Sequence, residues 1–64
     1  MQRFLYRVQY TYPDGTVSYE SVCVRAADGD TTAALTDAET GTDRYRVAVN
    51  ATRTMTLLVV TADV

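Results

Sequence analysis

The sequence has no histidine, no lysine and no tryptophan, and only one cysteine and one proline, in 64 residues. Without histidine there is no Ser–His or Cys–His nucleophile pair and no imidazole metal ligand. Without lysine there is no Schiff-base chemistry. One cysteine excludes an internal disulfide framework. The longest clean apolar run is Leu57-Leu58-Val59-Val60, far short of the roughly 20 residues that cross a membrane. Arg7 and Gln9 break the apolar character that follows Met1-Gln2-Arg3-Phe4-Leu5, so no secretory signal is expected. The expectation is a cytoplasmic protein, and the lone Cys23 suits a reducing compartment. The three glycines, Gly15, Gly29 and Gly41, are isolated, so no phosphate-cradling loop is present. Asp28-Gly29-Asp30 lacks the ligand spacing of a calcium loop. No catalytic residue, no metal and no cofactor is expected, and the chain reads as a non-enzyme. A chain this short makes one domain, residues 1–64, with a thin stability margin.

Hydrophobic periodicity is present instead. Phe4, Tyr6, Val8, Tyr10 and Tyr12 alternate with Leu5, Arg7, Gln9 and Thr11, which predicts a half-buried strand. Pro13-Asp14-Gly15 predicts a turn, and Thr16 to Ala26 a second strand paired with the first. That second strand changes phase, because Val17 and Tyr19 are odd while Val22, Val24 and Ala26 are even. A bulge near Glu20-Ser21 would hold both sets on one face. A continuous strand with Cys23 and Val24 half-buried on opposite faces is the alternative, and Cys23 reads as an inert buried thiol. Asp28 and Asp30 are candidate N-caps for a helix over Thr31 to Thr40 ended by Gly41, with an ordered loop as the rival. Residues 44 to 51 alternate again: Tyr45, Val47, Val49 and Ala51 against Arg44, Arg46, Ala48 and Asn50. They predict a third strand, with a turn over Asn50 to Thr54. Met55 to Ala62 predicts a fourth strand, apolar enough for a central place. The expected fold is α+β, in the order ββαββ: a four-stranded, mainly antiparallel sheet with one short helix on one face.

The eight acids and six arginines give a net charge of −2, unevenly distributed. Residues 27 to 43 carry Asp28, Asp30, Asp37, Glu39 and Asp43 and no base. One reading is a solvated, solubilising helix face. The other is a docking surface whose negative field steers it to a basic, nucleic-acid-binding surface on another protein. Arg7, Arg44 and Arg46 fall on the outward sets of the first and third predicted strands. They form an alternative phosphate-contacting face, unless they pair across strands with acids such as Glu20. Binding of nucleic acid is the lesser reading, because the composition is not basic. A further alternative is a self-associating structural protein, its acidic helix meeting the basic sheet face of a neighbour; a monomer or weak homo-oligomer is expected.

The opening Tyr10-Thr11-Tyr12-Pro13-Asp14-Gly15-Thr16-Val17, followed by an acidic helix and a strand pair, resembles the format of small bacteriophage proteins. In particular it resembles the small acidic anti-CRISPR proteins of the group acting on type I-C systems. That resemblance implies a non-enzymatic inhibitor in the cytoplasm of a bacterial host. Such an inhibitor binds a Cas subunit and blocks DNA recognition, in some members by mimicking DNA charge. DNA mimics are usually far more acidic than −2, so mimicry here would rest on residues 28 to 43.

Overall fold

The chain is α+β, and the computed structural model describes residues 1–63. The element order is β1 (Gln2–Thr11), β2 (Val17–Ala26), α1 (Thr31–Ala48) and β3 (Thr52–Ala62). The three strands form one antiparallel sheet in the order β2-β1-β3. The most alternating strand is therefore the central one, and the most apolar strand lies at an edge. Phe4, Tyr6, Val8 and Tyr10 are buried on one face of β1, as their period of two requires. The helix lies over β1 and β2 on that face. Ala34 and Ala38 are fully buried beneath it, and their small side chains let the helix sit close to the aromatic row. The covered tyrosine face is the arrangement that avoids burying arginines.

The hairpin turn forms as the sequence predicts. Gly15 takes φ +86°, a left-handed value suited to glycine. Asp14 accepts from the Thr16 backbone N–H at 2.9 Å and from its hydroxyl at 2.7 Å. Those hydrogen bonds hold the Asp14 carboxyl below its ordinary pKa. Asp30, not Asp28, is the helix N-cap, accepting from the Ala33 N–H at 3.0 Å.

Four expectations are corrected. The helix does not stop at Gly41 but runs to Ala48, so residues 44–51 are not a strand and the sheet has three strands, not four. Residues 38, 42, 45 and 49 repeat at helical spacing, and this stripe competes with the strand-like alternation of 45, 47, 49 and 51. Packing decides for the helix: Ala38 and Thr42 are buried, and the Tyr45 ring meets Tyr10 edge-on at 4.9 Å. The helix ends instead at Asn50, which has φ +55°. Ala51 N–H bonds Arg46 O at 2.9 Å, and Asn50 N–H bonds Val47 O at 3.2 Å. Those two bonds close a Schellman motif with Asn in the usual glycine position.

Second, β2 holds no bulge. It pairs with β1 in unbroken register from Gln2↔Ala26 to Thr11↔Val17. The phase change is resolved by leaving Val17 and Tyr19 exposed on the open face, where the Arg7 guanidinium covers the Tyr19 ring at 4.4 Å. Third, Cys23 shares that open face and is exposed rather than buried. Fourth, β3 is an edge strand, and the irregularity lies there. Leu5 pairs with Val59 but Tyr6 with Leu57, so Leu58 is the extra residue of a bulge.

Candidate partner-binding surface

The five acids do not form one patch. At about 100° per residue, Asp37 lies about 200° around the helix from Glu39, so the two face opposite flanks. Glu39 and Asp43, one turn apart, share the flank that faces β3. There Arg53, only 11% exposed at its side chain, meets both. Its guanidinium donates to Asp43 Oδ1 at 2.6 Å and to Glu39 O and Thr42 Oγ1 at 2.8 Å each. Arg46 adds a 3.4 Å contact to Asp43. The hydrogen bond and charge of Arg53, with help from Arg46, hold the Asp43 carboxyl below its ordinary pKa. Two of the five carboxylates are thus matched within the chain. Asp28 lies 3.0 Å from the Met1 amine, and Asp30 is spent on the cap. Asp37 is exposed and makes no ion pair among the described residues.

The alternative arginine set is dispersed. Arg7 lies on the open sheet face, but Arg44 and Arg46 lie on α1, about 200° apart around it. The expected face of Arg7, Arg44 and Arg46 is therefore not assembled, because its third strand is helix. Nor does Glu20 pair with an arginine: it accepts from the Tyr10 hydroxyl at 2.7 Å. Burial, then the hydrogen bond and charge of Glu20, push the Tyr10 phenol up to about 12.

Two features stand out on the surface. One is the β3 edge. Leu57, Leu58, Val59 and Val60 are each 38–51% exposed, and no charge, proline or glycine interrupts the strand between Arg53 and Asp63. Among the described residues, no strand lies beside its outer backbone groups. The sequence displayed this apolar run but not its position; that depended on residues 44–51 being helix. The lone arginine of β3 was the available signal for the Arg53 anchor.

The other is a groove of about 440 Å³ between β2 and the second half of α1, lined by Tyr10, Ser18, Tyr19, Glu20, Gly41 and Tyr45 among others. Tyr45 closes one end through a hydroxyl chain, Tyr45 to Tyr12 at 2.6 Å and Tyr12 to Ser18 at 2.7 Å. Among the described residues no group of three or more His, Cys, Asp or Glu side chains is placed to hold a metal. No helix among them is long and apolar enough to cross a membrane. In comparisons with protein-family models, curated proteins and solved structures, the chain matches none.

Proposed function

We propose that the chain is a non-catalytic protein-binding module that docks by its β3 edge. The observation that carries this reading is an eleven-residue edge strand with four consecutive exposed apolar residues. Such an edge offers unpaired backbone donors and acceptors flanked by apolar side chains on both faces of the strand, Leu57 and Val60 on the helix side and Val59 on the open side, the physical basis of strand addition. Those side chains supply affinity through burial, at about 25 cal/mol per Å² removed from water. Asp37 and the acids around the start of α1 supply a weak negative field that favours a basic partner. The resemblance to small phage inhibitors gives this reading a concrete form: occupation of a basic, nucleic-acid-binding surface on a host defence protein such as a Cas subunit.

Leu58→Lys tests it. A charge at the bulge opposes strand addition while leaving the buried face untouched, so stability should change by no more than about 0.5 kcal/mol. Tagged wild-type protein should retain one stoichiometric, nuclease-resistant protein from bacterial lysate, and Leu58→Lys should not. Asp37→Arg should slow association with that protein at low salt. Retention of nucleic acid alone, lost on nuclease treatment, would overturn the reading. The same edge also favours pairing with a second copy. Under that second reading the wild type grows in size with concentration, and Leu58→Lys stays monomeric.

A further inference from the structure

We infer that the groove between β2 and α1 is a receptor for a single arginine side chain presented by a partner protein. Three features of the groove select a guanidinium. Its charge is one-signed: Glu20 lines it, and no base does. Tyr10 occupies only one carboxylate oxygen of Glu20. Among the described residues, no other hydrogen bond or ion pair reaches that side chain. A carboxylate oxygen facing an aromatic-walled space is suited to a cation that is both planar and a donor.

The walls are phenol rings. Tyr45 is held edge-on to Tyr10 with an interplanar angle of 71°. Its hydroxyl is tied to Tyr12, so the ring is fixed before any ligand arrives. Tyrosine faces attract a cation near the ring centroid, and this chain already uses that contact where Arg7 covers Tyr19. The third feature is space. Gly41 stands in the helical wall, and a Cβ built there would meet nothing within 4 Å. A glycine in mid-helix costs up to about 1 kcal/mol relative to alanine, and here its missing side chain widens the groove.

The occupant's identity as a partner residue rests on the protein-binding reading above; the groove's preference for a guanidinium does not. The two are therefore tested with different probes. Acetyl-Gly-Arg-Gly-amide is titrated into ¹⁵N-labelled protein, with the citrulline peptide as a neutral, equally planar control. The arginine peptide should shift the amides of residues 18–20 and 41–45 and the Tyr45 ring resonances, with millimolar affinity. Citrulline should bind at least about tenfold more weakly. Glu20→Gln keeps an acceptor for Tyr10 and should lose arginine binding to the same extent. Gly41→Leu fills the groove from the helix side and should also abolish it, while leaving the helix intact by circular dichroism. Equal shifts with citrulline, undiminished binding by Glu20→Gln, or shifts confined to the start of α1 would each overturn the proposal. None of these results depends on the β3 edge, which Leu58→Lys probes separately.

Discussion

Arg53 shows how much a single side chain decides here. It is the only charged residue of β3, and it joins that strand to the helix by hydrogen bonds to Glu39, Thr42 and Asp43. Charge-assisted bonds of this kind, mostly screened from water, are worth more than exposed ion pairs. Arg53→Met keeps the aliphatic stem and loses the bonds. It should destabilise the fold by about 1–3 kcal/mol in urea denaturation, with Arg53→Lys recovering part of the loss. Tyr10 makes a prediction in alkali. It is 2% exposed and its phenol is raised to about 12, against about 10 in the unfolded chain. Because the folded value is the higher one, its contribution is intact below pH 10 and is lost as pH rises towards 12. The loss is on the order of 2 kcal/mol. Circular dichroism should show unfolding in that window, and Tyr10→Phe should flatten the alkaline limb of stability.

At the scale of the element, the helix is the lesson. Residues 44–51 carry two periodicities at once, and local pattern cannot rank them. The strand-like set, Tyr45, Val47 and Val49, is aromatic or β-branched, which favours a strand by propensity. The helical stripe wins because Thr42 and Tyr45 find partners on the sheet, whereas a fourth strand would lose them. Gly41 misleads for the same reason: a glycine ends a helix only when it takes the left-handed conformation, and here that role falls to Asn50. Two substitutions check this. Gly41→Ala should raise stability by about 0.5–1 kcal/mol, since its methyl group meets nothing. Asn50→Ala should cost roughly 1 kcal/mol for its positive φ, whereas Asn50→Gly should be neutral or slightly stabilising. Thermal melts with helix content followed by circular dichroism distinguish these outcomes.

The whole molecule is elongated, measuring 41 × 17 × 15 Å with a radius of gyration of 12.4 Å. A compact chain of this length would have a radius of about 11 Å. One helix over three long strands leaves part of the apolar surface uncovered, and the exposed strip of β3 follows from that shape. Ion pairs hold the strand's flanks: Arg53 with Asp43 at one end, and Asp63 with Arg3 and Arg25 at the other. Burial raises the pKa of Asp63, but its two arginines outweigh burial and leave it lowered; Asp43 is lowered as well. With folded values below the unfolded carboxylate range of about 3.9, both stabilise the fold above that pH. The contribution is lost as pH falls through the folded values. Acid titration should therefore release β3 early, seen as faster amide exchange in residues 52–62 below about pH 4. Asp63→Asn should make exchange at its end of the strand fast at neutral pH as well and remove its acid dependence.

The sequence alone determined the α+β class, the alternation of β1, the Pro13-Asp14-Gly15 turn and a helix start just after Asp28 and Asp30, between which the structure chose Asp30 as the cap. Each depends on residues adjacent in the chain or on a period of two that has no competitor. It also displayed the acidic run of residues 28–43 as a run. Only the tertiary structure decided what that run becomes: Glu39 and Asp43 are matched by an arginine ten or more residues away, and Asp37 is turned to the other flank. It likewise decided that Leu57–Val60 form an edge and that Glu20 faces tyrosines across a groove. Each of those outcomes depends on where α1 ends and which strands it covers, and long-range packing set that end against a local pattern that pointed elsewhere.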